Sequence, residues 1–330
     1  MINQPLVSII TPIFNAEKTL SACLQSLGLL DYESLQFVFI DDCSSDNGIE
    51  LVNKFLSNRE EDKHSLLIRH ATNQGVAVAR NTGLDNASGD YIYYVDADDQ
   101  LEPNTIKDAV SRAIQTGADI VGFNWYLAFE KNKRKMTQPA FNSPTDALER
   151  MMSGSMRWNL WLFLVKRSMY EDNQIRFIPG MNMGEDLMVM LKLFAVAKKV
   201  VHLDQYLYLY RQSNSDSLTK TYSEAHMLQV NKNVDQAFIF LKEKSLPFDL
   251  EKYMAFLKLN IKLPLLISNK TTQYQRWQNW FPEVNIFAGK NTRNSWRTRL
   301  LERWALSKQY WLIKLYYYLV IRVVYGVIYK

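Results

Sequence analysis

The sequence predicts an α/β fold in which a mostly parallel central sheet occupies the first two-thirds of the chain and a helical C-terminal region follows. Two observations predict it. Up to about residue 125, short β-rich runs alternate with amphipathic stretches, the pattern of successive βαβ units. Beyond about residue 225 the pattern changes to long stretches of helical periodicity, over 224–244, 249–267 and from 293 onward. We therefore expect one domain over 1–225 and a helical region over 226–330. With 330 residues, 47% of them hydrophobic and 22% charged, the chain can bury a sizeable core and is excluded from the disordered class.

The elements follow in order. A strand over 6–10 runs into Thr11-Pro12-Ile13-Phe14-Asn15, where proline turns the chain and Thr11 offers a hydroxyl at the sheet edge. A helix over 17–27 leads to a strand over 36–40. Asp41 and Asp42 end that strand, with Ser44, Ser45 and Asp46 after them. Carboxylates at a strand end accept hydrogen bonds from a base N–H or a ribose hydroxyl, whereas Asp46 is as readily the cap of the next helix, over 47–56. A strand over 65–69, a helix over 76–86 and a strand over 91–95 come next. Pro103 opens a helix toward residue 115, as a first-turn proline does, and a strand over 119–123 completes the series. In open parallel sheets ligands sit beyond the carboxyl ends of the strands, so chemistry is sought there.

The richest such end is Val95-Asp96-Ala97-Asp98-Asp99-Gln100-Leu101-Glu102-Pro103. Three carboxylates within four residues repel one another unless a cation or many donors compensate, and oxygen ligands suit Mg²⁺ or Mn²⁺. An EF-hand loop is excluded by spacing: counting from Asp96, Leu101 stands where glycine is required and Lys107 where the bidentate Glu belongs. A solvated acidic turn is the plain alternative. Magnesium takes one or two protein carboxylates and completes its shell with water and substrate phosphate oxygens, so a diphosphate ligand follows from this turn.

Five segments together resemble a family 2 glycosyltransferase with the nucleotide-sugar-binding fold called GT-A. They are Val7 to Asn15, Ile40-Asp41-Asp42-Cys43-Ser44-Ser45-Asp46, Asn73-Gln74-Gly75 through Arg80-Asn81-Thr82-Gly83, Gly89-Asp90-Tyr91 through Asp99, and Gly184-Glu185-Asp186. The resemblance covers residues 5 to about 220 and leaves the C-terminal third outside. It implies an inverting transferase using a nucleotide diphosphate sugar, most often uridine-linked. Thr11, Pro12 and Asp42 then line the base pocket, Asp96 reaches the ribose or the metal, and Asp98 ligates the divalent ion. Arg80 lies on a helix that approaches the nucleotide, or forms a surface ion pair. Two acids in a first helical turn are ordinarily explained by the macrodipole; the resemblance instead makes Asp186 the general base and Glu185 a contact to acceptor or donor. Similar enzymes complete the diphosphate shell from a later loop, sometimes through His. The comparable stretch here, Tyr210 to Lys220, has none, leaving Arg211 or Lys220 for the phosphates. His202 and His226 read as structural, and the Trp158 to Trp161 segment as either an acceptor platform or buried packing.

Charge is uneven along the chain. From Lys290 to Lys330 nine Lys or Arg face one acid, Glu302, while the formal net charge of the whole is only +5. This basic tail also carries many Trp and Tyr residues, which suits a membrane interface better than nucleic acid. Lys314 and Arg322 interrupt it too often for a spanning helix. Packing onto the catalytic domain or onto a second copy of the chain is the alternative. Two cysteines, Cys23 and Cys43, make no disulfide framework and read as buried hydrophobes in a reducing cytoplasm. No secretory leader pattern opens the sequence. The expectation is a cytoplasmic protein, peripheral at the membrane, meeting a glycan or lipid-linked saccharide acceptor. A sugar nucleotidyltransferase is disfavoured because no Gly-rich basic loop follows the first strand. The remaining alternative is an inactive nucleotide-sugar-binding protein.

Overall fold

Strand β1 (Val7–Ile13) is buried along its length except at Pro12, and β2 (Leu35–Asp41) is buried throughout. Strands apolar on both faces belong inside a parallel sheet covered by helices. The computed structural model describes residues 4–59, 64–129, 132–211 and 223–328. Helix α1 (Glu17–Gly28) separates these strands, and α2 (Gly48–Ser57), β3 (Leu66–Arg69), α3 (Val76–Asp85) and β4 (Tyr91–Tyr94) continue the alternation. β1 lies between β2 and β4, and β2 beside β3, all in parallel.

The chain then departs from the simple series expected. A short β5 (Gln100–Leu101) precedes α4 (Thr105–Thr116), which ends on Gly117 in the left-handed region. β6 (Ile120–Ala128) forms a hairpin with the exposed β7 (Lys133–Met136). After α5 (Pro144–Met152), β8 (Phe163–Lys166) inserts antiparallel between β4 and β6. The fifth predicted strand therefore does not pair with the fourth. α6 (Arg167–Glu171), α7 (Glu185–Val196) and β9 (Val200–Arg211) follow, and β9 runs parallel to β6 while its far half holds β5. The sheet order is β3-β2-β1-β4-β8-β6-β9-β5, with β7 on β6, and most paired positions are parallel.

Gly83 shows how tightly α3 seats on this sheet. A β-carbon there would lie 2.3 Å from the Ile10 side chain and 2.9 Å from that of Ile40. Only a residue without a side chain lets the helix approach β1 and β2 so closely.

The chain divides into two compact units: Trp158–Lys244 joins the segment up to Ala147, and Leu148–Arg157 joins Ser245 onward. The compositional change near residue 225 marks the start of α8 (Glu224–Lys242), which packs on α7 within the first unit. The second unit contains α9 (Leu250–Lys262), α10 (Thr271–Asn279), α11 (Trp296–Leu306) and α12 (Tyr310–Tyr316), which continues as a wider helical coil over Tyr317–Ile328. Its core includes Phe256, Leu257, Tyr274, Trp277 and Leu301. Cys23 is buried as expected, but Cys43 is half-buried in the turn after β2, at a φ of 64°.

Candidate active site

The carboxyl ends of β1, β2 and β4 and the first turns of α3 and α7 hold the residues singled out by sequence. Arg80 connects most of them. It projects from α3 and is 4% exposed. Its Nη1 donates to Glu185 Oε1 at 2.7 Å and to Asp186 Oδ1 at 2.6 Å, and its Nη2 lies 3.4 Å from Asp96 Oδ1. The guanidinium is thus buried among carboxylates, which replaces the surface ion pair considered from sequence, and these donors are directed at acids and not outward toward a nucleotide. One guanidinium thus meets three acids. Burial, followed by the charge of Asp186, pushes the Glu185 carboxyl up to about 8. Burial also dominates at Asp96, where Arg80 opposes it and the charges of Asp186 and Asp98 reinforce it, giving about 6.

Asp186 keeps a second oxygen in reserve. Among the described residues, Oδ2 accepts only a long 3.4 Å bond from the Leu160 amide, and the side chain is 16% exposed. Gly184, at a φ of 79°, turns the chain so that Glu185 and Asp186 open α7 side by side.

The acidic turn after β4 separates into parts. Asp99 is fully buried and accepts from the Tyr208 hydroxyl at 2.7 Å and the Arg211 amide at 2.8 Å. It therefore ties the turn to β9. Arg211 enters the site through its backbone at the end of β9, and Lys220 lies outside the described residues. Asp96 and Asp98, on the same turn, are each half-buried. Among the described residues no cluster of three or more His, Cys, Asp or Glu is arranged to hold a metal ion. Two carboxylates on one turn nevertheless fit Mg²⁺ or Mn²⁺, which leave their other positions to water and phosphate. Burial is the larger part of the upward push on Asp96; the charges of Asp186 and Asp98 add to it, and that added repulsion is what a bound cation would relieve.

Beside the start of α3 lies a cavity of about 340 Å³ whose lining includes Pro12, Phe14, Asp42, Val76, Asn182 and Met183. Pro12 and Asp42 both line this cavity. Thr11 is fully buried in β1, and its hydroxyl has no partner among the described residues. Asp42 is held firmly: it accepts from the Gln74 amide at 2.9 Å, the Gly75 amide at 2.7 Å and His70 Nδ1 at 2.7 Å. A carboxylate offers about four lone-pair sites, so one remains for a ligand. His70 in turn contacts the Thr82 hydroxyl through Nε2 at 2.9 Å. Gly75 has a φ of 85°, and a β-carbon there would lie 2.2 Å from the Asn182 amide nitrogen. Asn182 also accepts from the Ala77 amide, fastening the loop before α7 to α3.

His70, Asn182 and Tyr208 escaped the sequence reading. His70 had a signal, lying at the carboxyl end of the third strand beside the Asp42 strand; Asn182 and Tyr208 had none outside their three-dimensional neighbours. Trp161 is 4% exposed and stacks on Tyr208 at 4.3 Å, so its ring is packing under the site and not an open platform.

Residues 8–187 match the family model described as "Glycosyl transferase family 2". A protein described as uncharacterized glycosyltransferase EpsJ, from Bacillus subtilis, is 27% identical over 276 residues, spanning 80% of this chain and 78% of that one. An uncharacterized glycosyltransferase from Haemophilus influenzae is 38% identical over a shorter 135 residues, 41% of this chain and 53% of that one. Among solved structures, TarS 1–349 of Staphylococcus aureus in complex with UDP-GlcNAc superposes with a TM-score of 0.70 at 18% identity, covering 95% of this chain and 91% of that one. The shared fold is GT-A.

Proposed function

The chain belongs to glycosyl transferase family 2, and from that premise we propose that it moves a sugar from a uridine diphosphate sugar to a hydroxyl of a glycan or lipid-linked saccharide, in bacterial surface polysaccharide synthesis. The observation that carries the reading is the Arg80 bridge. One guanidinium fixes Asp186, the proposed base, relative to Asp96 on the turn proposed to face the donor diphosphate. The UDP-GlcNAc bound to TarS supports a uridine-linked hexose or N-acetylhexosamine as donor. The mannosyltransferase PcManGT from Pyrobaculum calidifontis, solved with GDP-Man and Mn²⁺ and similar in fold at a TM-score of 0.54, supports a divalent cation.

The chain's own residues divide the work. Asp42, with Pro12 and Phe14, holds the base in the cavity beside α3. Asp98, with Asp96, holds the metal ion, which when bound supplies charge neutralisation to the diphosphate worth several kcal/mol. Arg80 orients Asp186 so that Oδ2 meets the acceptor hydroxyl. As the hydroxyl oxygen bonds to the anomeric carbon, the carbon–oxygen bond to the diphosphate breaks on the opposite face and the proton passes to Asp186. Such general-base assistance is typically worth about 10²- to 10⁴-fold. A single displacement inverts the anomeric centre, so an α-linked donor gives a β-linked product.

The test is release of uridine diphosphate from a panel of UDP-sugars with Mn²⁺ and saccharide acceptors, followed by mass of the product. Asp186→Asn should bind uridine diphosphate as the native chain does while losing turnover. Native-rate turnover by Asp186→Asn, or no uridine diphosphate released from any donor by folded native protein, overturns the proposal.

A further inference from the structure

The helical end of the second unit is turned inside out. Amphipathic surface helices of soluble domains direct apolar residues inward and polar ones outward. α12 buries Ile313 completely, yet Trp311 is 66% exposed, Leu315 47% and Leu319 63%. Val323 extends this row at the same four-residue spacing, and Tyr318 lies exposed next to it. Trp296, at the start of α11, is 63% exposed as well.

The charge around this row has one sign. Arg297, Arg299, Arg303, Lys308, Lys314 and Arg322 are interleaved with it, and the single acid from residue 290 onward, Glu302, is fully buried against the Gly289 amide. No carboxylate side chain of that stretch is therefore displayed among the described residues. Nucleic acid would match the charge, and the Trp and Tyr rings would stack on bases, but Leu315, Leu319 and Val323 would then be left facing water. Trp and Tyr beside aliphatics, edged by Lys and Arg, match the boundary between lipid headgroups and acyl chains. Among the described residues no helix is long and apolar enough to cross a membrane.

We propose that the outward face of α12 and its continuation, with Trp311, Leu315 and Leu319 as anchors, seats the protein in the plane of an anionic lipid surface. Trp and leucine sink to headgroup depth while the surrounding Lys and Arg meet lipid phosphates. The lipid binding stands on this face alone. Its consequence for a lipid-linked acceptor rests on the transferase reading given above.

The experiment is flotation of the full chain with vesicles of phosphatidylglycerol and phosphatidylcholine, against vesicles of phosphatidylcholine alone. The native chain should float with the anionic vesicles, and less as salt is raised. The triple change Trp311→Ser, Leu315→Ser, Leu319→Ser should weaken partitioning by at least about tenfold while leaving turnover of a water-soluble acceptor unchanged. Leu319→Glu alone, on an exposed position, gives a second route should the triple variant fold poorly. Arg297→Gln with Arg322→Gln should remove the preference for anionic lipid. Native protein that stays in the dense fraction with anionic vesicles overturns the proposal. So does a native dimer that the Leu319→Glu change converts to monomers, since a second copy would then cover the face. Loss of turnover with vesicle binding intact would instead count against the transferase reading alone.

Discussion

Arg80 Nη1 lies 2.6 Å from Asp186 Oδ1, joining residues 106 positions apart in the sequence. The bond sets how the first turn of α7 faces the acidic turn after β4, because the same guanidinium also reaches Asp96. It makes Arg80 a positioning residue whose removal has two separable consequences.

Arg80→Met leaves three acids near one another without their cation. Breaking a buried ion pair from one side costs about 3–5 kcal/mol, so thermal unfolding should fall by many degrees. Arg80→Lys keeps the charge but loses the fork that spans two carboxylates at once. It should fold, yet turn over on the order of 10²-fold more slowly because the base is held loosely. Calorimetry and uridine diphosphate release separate these effects; an Arg80→Lys enzyme of native rate contradicts the positioning role.

Glu185 gives a pH dependence of defined sign. Its carboxyl is pushed up to about 8 from an ordinary 4.5, chiefly by burial. Between those values the folded chain binds a proton that the unfolded chain has released, so stability falls as pH rises. The contribution is complete below about 4.5 and gone above about 8. Glu185→Gln imitates the protonated form, and in metal-free protein it should flatten the decline in melting temperature between about pH 5 and pH 8. An equal slope in both proteins would mean that Glu185 is ionised throughout.

The acidic turn yields a contrast between neighbours. Asp98→Ala should abolish metal-dependent turnover and, because this side chain is half-buried, should lower the melting temperature less than a change at fully buried Asp99. Asp99→Ala removes the acceptor for the Tyr208 hydroxyl and the Arg211 amide. Leaving buried donors unpaired costs about 1–3 kcal/mol, so this variant should lose stability first. Activity that survives EDTA, or that survives Asp98→Ala, removes the metal role.

Those two aspartates also mark how far the sequence could be read. Strands β1 to β4 and helices α1 to α4 were legible because each has one periodicity and a clear end, such as Gly117 after α4. The carboxylates were legible as a cluster, since repulsion among adjacent acids is a local property. Their division was not, because what makes Asp99 structural is Tyr208, more than a hundred residues away. β9 was missed for a related reason: its pairing with β6 shifts register twice near Asn124, so no regular alternation runs through it. β8 enters between β4 and β6, and nothing in its four residues specifies which strands it separates.

His70 supplies the last prediction. It is nearly buried, donates through Nδ1 to the Asp42 carboxylate and contacts Thr82 through Nε2. Both ring nitrogens are engaged there and not at Arg80 or the acidic turn, so its influence runs through Asp42 and the cavity beside α3. His70→Ala should therefore loosen the base pocket, losing a hydrogen bond to a charged group worth about 1.5–3 kcal/mol. That loss falls equally on bound substrate and transition state, so KM for the donor should rise on the order of tenfold or more while kcat changes little. His70→Asn, whose amide can also donate toward Asp42, should recover part of the loss. If kcat falls instead while KM holds, Asp42 acts on the reacting atoms and the division between base pocket and chemical centre is wrong.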